Sequence, residues 1–324
     1  MALASVAQAE NPLTANARAA IDLAGRYTTT IGEPEDSGTL FMGVDALKVL
    51  QGPRGDIGRI TVQLYMTKLV GAEAIPGPFD GEDDAELIFR NVHADFRVLP
   101  GRALAVRVGH FEVPFGLEYV VETNGTLHQI TSGANLGVKG DWGVAGHGII
   151  GDFEYEVALQ RGGGNSWKTN NSPYIASGRV GTRRDRRLSG GISVLNGAVH
   201  SYTSPLDPVE RSRLGVDLRW IGARYEVLGE YSLGETDGRD TSLGFVELDY
   251  LARDGAWIAY SQYRRSTSET ISGTDSTSSV ALGWRYEPNN DLAFSFQYAR
   301  PIHTTNASAS DGSLSLQVRR RVRY

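Results

Sequence analysis

The stretch Ala103-Leu-Ala-Val-Arg-Val-Gly-His110 decides how the rest of the chain is interpreted. Its apolar side chains Leu104, Val106 and Val108 fall on every second residue, and Arg107 lies on the opposite phase. Successive side chains of a strand point to opposite faces, so a period of two predicts a β-strand with one apolar face. We predict a strand over residues 103–111.

The end of this strand is also marked in the sequence. Pro114 has no amide hydrogen to give to a ladder and Gly116 relaxes the backbone, so strand pairing should stop there. A long polar segment follows before alternation returns at Leu136. A connection this long inside a compact unit is usually functional or disordered. We therefore single out residues 112–134 as a candidate functional loop.

The same alternation continues to the end of the chain and predicts sixteen strands, an even number. The predicted strands cover residues 19–31, 39–51, 57–69, 86–98, 103–111, 135–146, 153–161, 174–183, 188–199, 213–221, 224–233, 241–252, 256–265, 277–286, 292–300 and 313–324. No charge block, proline-rich tract or Ser/Gly linker divides the sequence. We predict a single domain over residues 10–324.

The connections between these strands alternate in length. Short turns such as 52–56, 99–102 and 287–291 are rich in Gly, Pro, Asn and Asp. Longer connections lie between them at residues 70–85, 112–134, 162–173, 200–212, 266–276 and 301–312. This pattern is typical of an outer-membrane barrel with its turns in the periplasm. The predicted fold is an all-β, transmembrane antiparallel β-barrel of sixteen strands with long extracellular loops.

A soluble β-sandwich would also alternate, and it is the competing fold. The second face of many strands argues against it, because it carries small or charged residues, as Ala281, Gly283 and Arg285 do in one strand. The apolar faces carry aromatic residues near strand ends, as an interfacial girdle would. Only four lysines occur against 28 arginines, whereas a sheet facing bulk water is expected to be rich in lysine.

Both chain ends fit an outer-membrane protein. Residues 1–9 end in Ala7-Gln8-Ala9, a pattern that signal peptidase cuts, so we predict the remnant of a signal peptide; a disordered N-terminus is the alternative. The last strand keeps its apolar phase to the terminal Tyr324 and resembles the C-terminal signal of bacterial outer-membrane proteins, although an aromatic residue ends many chains by chance.

Two features are missing from the sequence. No window approaches the roughly 20 apolar residues that a membrane helix needs. The chain contains no cysteine, which excludes disulfides, thiolate metal sites and c-type haem attachment. If the protein meets a membrane, helices do not carry it there.

One motif resembles a known family. Gly109-His-Phe111 followed by Pro114-Phe-Gly-Leu-Glu118 is similar to the Gly-x-Phe-x-x-Pro-Phe-Gly-Leu-Glu segment of the phosphate-selective porin O/P type and related sixteen-strand porins. The resemblance implies that the following loop folds into the lumen. In phosphate-specific members it also implies lysines and a ladder of arginines that guide anions. Here only Lys139 lies near the loop, so phosphate specificity is not carried over.

If the apolar phases face lipid, the other phases face the pore. The predicted pore-lining residues are Arg26, Arg59, Arg97, Arg107, Arg179, Arg219, Arg285, Arg319, Arg321, Asp95 and Asp217. Inward arginines and acids nearly balance, which predicts a transverse field rather than a filter of one sign. The turn at Pro100-Gly101 sets Asp95 opposite Arg107 as a cross-strand pair. The alternative is that such pairs only neutralise each other.

The long loop offers a candidate constriction. Its candidate residues are Pro114, Phe115, Glu118, Glu122 and His128, which would touch a passing solute if the loop folds inward and would merely be solvated on an outer surface. A second loop carries Gly81-Glu-Asp-Asp84, which resembles an acidic patch that holds a divalent cation. Acidic loops are common, so we predict no metal and no cofactor.

Enzyme and nucleic-acid functions have little support. The six histidines are scattered and none lies in an HExxH or GxSxG arrangement. His93 and His110 are predicted on adjacent strands but on opposite faces, and His147 and His303 have no obvious partner. The net charge of −6 and the dispersed arginines argue against nucleic acid. We predict that the chain is not an enzyme.

These observations lead to one functional prediction and one alternative. The predicted function is that of a porin in the bacterial outer membrane, which allows passive diffusion of small hydrophilic solutes, with anions as candidates. Its expected surroundings are the lipid bilayer and lipopolysaccharide, and a homotrimer is a candidate assembly. The alternative is a barrel that sheathes a multihaem cytochrome or another partner supplied by a separate chain.

Overall fold

The computed structural model describes residues 16–32, 36–53, 55–71, 85–121, 126–127, 135–166, 171–201, 204–252, 255–305 and 311–324. Within them sixteen strands make one sheet. The strands are β1 (Ala17–Thr30), β2 (Asp36–Gly52), β3 (Gly55–Val70), β4 (Ala85–Leu99), β5 (Leu104–Glu112), β6 (Gly140–Ile150), β7 (Phe153–Gln160), β8 (Ile175–Thr182), β9 (Leu188–Ser201), β10 (Ser204–Ile221), β11 (Tyr225–Thr236), β12 (Arg239–Leu251), β13 (Trp257–Thr270), β14 (Gly273–Asn289), β15 (Leu292–Thr304) and β16 (Ser313–Arg323).

The sheet is a closed barrel. Each strand pairs antiparallel with its neighbours in sequence, and β1 also pairs with β16, with Ala20 opposite Arg323 and Thr30 opposite Ser313. Closure leaves the sheet without a free edge, which is how a β-structure can satisfy its backbone in a membrane. The predicted barrel is confirmed and the sandwich alternative is wrong. Among the described residues, no helix has the length and hydropathy to cross a membrane.

Alternation along the strands separates two faces. On β10, Leu214, Val216 and Leu218 are each about half exposed, while the intervening Gly215 and Asp217 are buried. We call the apolar, exposed set the outer face and the other set the inner face. The barrel end that carries the connections between β2 and β3, β4 and β5, and so on is called the short-turn end. The opposite end is the long-loop end.

The strands are shortest at β5, β7 and β8, and we call this side of the barrel the low wall. Strands β5, β7 and β8 have 9, 8 and 8 residues, whereas β10 has 18. Because β5 ends early, the upper part of β4 lacks a neighbour on that side. Asn165 takes its place: its Oδ1 accepts from the Phe89 amide at 2.7 Å and its Nδ2 donates to the Leu87 carbonyl at 2.9 Å. A side-chain amide thus pairs the strand edge that β5 leaves open.

Three predicted boundaries are wrong. The predicted loop 200–212 is mostly strand, since β9 runs to Ser201 and β10 starts at Ser204, and the predicted loop 266–276 is a tight hairpin between Thr270 and Gly273. The predicted strand 135–146 starts only at Gly140. Above the membrane both faces of a strand meet water, so the alternating signal is lost where the strand continues.

Candidate functional site

All eleven predicted pore-lining residues lie on the inner face. Arg26, for example, lies opposite the buried Gln317, and Arg219 lies opposite the buried Ser189 and Leu228. Each of them lies on the strand phase that carries small or charged residues. The apolar residues on either side of it point to the outer face. The inner face is therefore the part of the molecule on which a solute path would run.

Ion pairs cross the inner face between strands. On the closing strands, Arg319 donates through Nε to Asp22 at 2.8 Å. On the low wall, Arg179 of β8 donates through Nε and Nη2 to the two oxygens of Asp217 on β10, at 2.9 and 2.7 Å. The guanidinium crosses over Gly191 of β9, where a Cβ would come within 2.7 Å of it. A glycine on the intervening strand is what lets this pair form.

Asp95 collects the largest number of cationic or imidazole neighbours. Its carboxylate accepts from Arg59 Nε at 2.8 Å and from Arg107 Nε at 3.0 Å, and His147 Nε2 lies 2.7 Å away. His93 Nε2 lies 3.3 Å from the same carboxylate. The predicted Asp95–Arg107 cross-strand pair is confirmed by the register. The expectation that His147 lacks a partner is wrong.

The acids and arginines of the inner face lie at different depths. Arg59 keeps 47% of its side chain exposed while Asp95 keeps 8%, and Arg184 keeps 42% while Glu154 keeps 10%. The same order holds for Arg321 over Asp45, Arg319 over Asp22 and Lys139 over Glu118. A short carboxylate stays at the wall, whereas a long arginine stem carries its guanidinium above it. In these five pairs the cation is the more exposed partner, whereas in Arg179–Glu154 and Arg90–Glu112 the acid is the more exposed partner, at 10% against 3% and 15% against 10%.

This order ends at the short-turn end. In the turn before β7 and the turn after β8, Asp152 and Arg186 form an ion pair in which the acid is the more exposed partner, at 73% against 56%. Arg97 and Asp56 are about equally exposed, at 42% and 45%. Arg184 lies in the same turn after β8, so exposed cations and exposed acids occur together at this mouth.

Residues 113–121, which we call the inward segment, lie inside the barrel. Val113 and Phe115 pack with Ile175 of β8 and with Leu195 and Val199 of β9. Further along, Leu117 packs with Leu228 and Phe245 of β11 and β12. These strand residues belong to the inner face, so the segment crosses the lumen and rests on the wall opposite its origin.

Gly116 fixes the position of the inward segment. Its φ is +59°, and its amide donates to Ser193 Oγ at 3.0 Å. The next amide, of Leu117, donates to Glu230 Oε2 at 2.7 Å. A Cβ on Gly116 would clash with that same carboxylate, which would have to move. The left-handed backbone favours glycine at this position.

Tyr119 carries the segment back toward the low wall. Its hydroxyl donates to Glu156, which also accepts from Arg107 Nη1 at 2.6 Å. The Arg184 guanidinium lies 4.9 Å above the Tyr119 ring. Burial, together with the charge of Glu156, raises the pKa of Tyr119 to about 12. The phenol is thus a neutral donor that ties the segment to the ion pairs of the wall.

The return of the loop toward β6 is also tied down. Asn135 Nδ2 donates to Ser232 Oγ at 2.8 Å, and its Oδ1 accepts from Arg213 Nε at 2.9 Å. Lys139 pairs with Glu118, which joins the two arms of the loop. The sequence pattern gives no sign that Asn135, Arg213 or Lys139 holds the loop. Their partners are too distant in sequence for a local pattern to reveal them.

A sequence signal for the seat of the segment did exist. Ile175, Leu195, Leu228 and Phe245 are apolar residues on the phase that otherwise carries polar groups, and each is no more than 3% exposed. These four side chains mark where the inward segment covers the wall.

The predicted constriction residues divide into two groups. Pro114, Phe115 and Glu118 are buried in or beside the inward segment. Glu122 and His128 lie outside the described residues. Between them, Thr126 is described: its carbonyl accepts from Arg26 Nη2 at 2.9 Å, so the loop also reaches β1.

Two spaces remain beside the loop. The larger, of about 750 Å³, lies between the inward segment and strands β2 to β8. Its lining includes Arg59, Asp95, Arg107, His147, Tyr119, Leu47 and Val49. The smaller, of about 140 Å³, lies between Thr126 and the inner face of β14 to β16. Among the described residues, no cluster of His, Asp and Glu is placed to hold a metal ion, and the acidic stretch 81–84 lies outside them.

No family model matches the chain, and no curated protein matches it. Solved structures do match. Salmonella typhi OmpF in complex with daunomycin has a TM-score of 0.68 at 10% identity, covering 94% of this chain and 97% of that chain. The trimer form of Vibrio cholerae OmpT has 0.67 at 12%, covering 94% and 99%. The fold is the closed antiparallel barrel of these outer-membrane proteins.

A third match is the anion-selective porin from Comamonas acidovorans, with a TM-score of 0.60 at 10% identity, covering 95% of this chain and 98% of that chain. At these identities the likeness concerns the fold of the porin barrel. The motif resemblance to sixteen-strand porins is confirmed at that level, and the phosphate-selective type is not singled out among them.

Proposed function

We propose that the chain is a non-enzymatic porin of the bacterial outer membrane that passes small hydrophilic solutes by diffusion and favours anions. The observation that supports the preference is the order of depth in two inner-face pairs: Asp95 and Asp45 are buried beneath the more exposed Arg59 and Arg321. The formal charges nearly balance, but their exposure does not.

The potential that a solute meets depends on how far each charge lies from the solute. A solute in the lumen meets an exposed guanidinium directly, whereas the paired carboxylate lies behind it against a low-dielectric wall. The nearer charge dominates the potential, and a narrow water-filled path focuses that potential. Arg26 contributes a further positive charge, since it donates hydrogen bonds to the neutral oxygens of Gln317 and Thr126. Anions should therefore enter more readily than cations of equal size.

The loop is proposed to narrow the path. The inward segment is tied to β9, β11 and β7 through Gly116, Leu117 and Tyr119. Solutes would pass beside it through the space that Tyr119, Arg59 and Arg107 line. A segment held at so many points acts as a fixed constriction that selects by size and charge.

The sheath alternative is less well supported. A cytochrome inside the barrel would need the space that Phe115, Leu117 and Leu136 fill with apolar contacts. Displacing these residues would expose their inner-face partners to water, at a cost of roughly 1.5–3 kcal/mol for each large side chain. A partner supplied by another chain is therefore not required to fill the lumen.

Membrane location and assembly follow from the fold. The outer face exposes apolar residues such as Val157 and Leu159 on the low wall, which suits lipid or a second copy. One similar solved structure is described as a trimer form. We propose the same homo-oligomeric state here, with lipid and lipopolysaccharide around the rest of the barrel.

Liposome swelling tests the channel. The folded protein, verified by heat-dependent gel mobility, would be reconstituted and diluted into isosmotic arabinose. Swelling at a rate proportional to the protein content is expected. Lack of swelling by a folded barrel would contradict the open channel and would favour an occupied lumen. Recovery of the chain in a detergent-free soluble fraction would contradict the membrane assignment.

A further inference from the structure

Among the described residues, Leu47, Val49 and Ile149 are apolar residues of the inner face that stay partly accessible and line the larger cavity. Leu47 and Val49 lie on the phase of Asp45, which faces inward, while Leu40, Met42 and Val44 point outward. Inner-face residues such as Ile175 are fully buried because the inward segment packs on them. Leu47 and Val49 instead keep part of their surface accessible and line the larger cavity. They place an apolar strip on a wall that is otherwise polar.

The strip lies directly beside an exposed cation. Val49 is the cross-strand partner of Arg59, whose guanidinium is about half exposed above Asp95. The same cavity is lined by Val120 of the inward segment and by Ile149 near the start of the β6–β7 turn. An apolar surface and a positive head group thus face one space of about 750 Å³.

Resting on the proposed porin function, we propose that this cavity is a subsite for organic anions that carry an apolar body, such as small aromatic or branched carboxylates. The carboxylate pairs with Arg59, and the apolar body lies on Leu47, Val49 and Val120. An inorganic anion or acetate would use the guanidinium alone. A space of this size is in the range of roughly 300–1,000 Å³ found for small-molecule sites. Its lining is largely charged, so the apolar strip is the one part of it that distinguishes an apolar body from a bare anion.

The test is block of the chloride current through single channels of the full chain. Benzoate is the probe, and acetate, inorganic phosphate and benzyl alcohol are compared with it. Benzoate is expected to block at about a tenfold lower concentration than acetate or phosphate, because it adds buried apolar surface to the same charge. Benzyl alcohol, which lacks the charge, should block weakly.

Variants separate the subsite from the general pore. Leu47→Ser with Val49→Ser should raise the half-blocking concentration of benzoate about tenfold and leave that of acetate unchanged. Leu47→Ile with Val49→Ile should retain the benzoate block. Neither double variant should change the KCl reversal potential, since no charge is altered.

Equal block by benzoate and acetate, or an unchanged benzoate block in the serine variant, would overturn the subsite. The reversal potential judges the proposed function separately. If the channel still prefers chloride, only the organic-anion subsite fails. If it prefers potassium, the proposed anion preference fails as well.

Discussion

Arg59 stands between Asp95 and the open lumen: its Nε donates to Asp95 Oδ2 at 2.8 Å while the guanidinium lines the larger cavity. Asp95 is held from below by Arg107 and His147. The carboxylate is thus enclosed by donors, and the side of the cluster that a solute meets is cationic.

Replacing Arg59 should weaken anion preference. Arg59→Gln removes the exposed charge and leaves Asp95 paired with Arg107, so the ratio of chloride to potassium permeability should fall. The matched control is Arg186→Gln, which removes an arginine whose partner Asp152 is the more exposed of the two. That control should have a smaller effect. Equal reversal potentials for the two variants would show that the exposure of an arginine relative to its acid partner does not decide the anion preference.

Gly116 should be intolerant of even one methyl group. Gly116→Ala adds strain of roughly 1–3 kcal/mol at a left-handed residue and brings Cβ against Glu230. The inward segment should shift from its seat, so single-channel conductance should change and become more variable. Gly151→Ala is the control, because Gly151 has φ +63° but nothing within 4 Å of its Cβ. If Gly116→Ala and Gly151→Ala channels have the same conductance, the position of the inward segment does not depend on Gly116.

Tyr119 should contribute stability that disappears at high pH. Its pKa is raised to about 12 in the folded protein, against about 10 for a free phenol. The folded state therefore holds the proton more tightly, and this stability is fully present below about pH 10 and is lost as pH rises to about 12. In detergent, the wild type should lose thermal stability over this window more steeply than Tyr119→Phe, by on the order of 1 kcal/mol. If the thermal stabilities of the two proteins fall in parallel as pH rises, ionisation of Tyr119 is not coupled to folding.

Asn165 should stabilise the low wall. Asn165→Leu would remove the partner of the Phe89 amide and of the Leu87 carbonyl, at a cost of roughly 0.5–1.5 kcal/mol for each hydrogen bond, since the first is partly buried and the second is exposed. The temperature at which the folded gel band disappears should fall. Asn165→Asp keeps the acceptor for Phe89 and loses the donor for Leu87, so it should fall between leucine and wild type. No change in either variant would show that water replaces the amide.

Sequence alone predicted the parts of this molecule that depend on neighbouring residues. Alternation gave the sixteen strands and their inner faces, and the tight turn at Pro100-Gly101 set Asp95 opposite Arg107. These follow from the period of a strand and the geometry of a hairpin. Strand ends were less predictable where Ser and Thr occupy both faces, as in β13 and β14.

The depth of the charges and the individual hydrogen bonds that hold the loop could not be predicted. Whether Arg59 covers Asp95 depends on side-chain conformation, and the contact of Leu117 with Glu230 joins residues from opposite walls. His147 of β6 reaches Asp95 of β4 because the β4–β5 and β5–β6 registers bring both residues close to Arg107. Such relations arise from closure of the barrel and leave no local pattern.

Acids buried beneath exposed arginines such as Arg59 are proposed to make the lumen cationic. The zero-current potential of the wild-type channel, in a planar bilayer separating two KCl concentrations, tests this proposal. We expect a potential of the sign that chloride permeation produces, with steady single-channel steps. A potential of the sign that potassium produces would contradict it, because the acids would then govern the narrowest part of the pore.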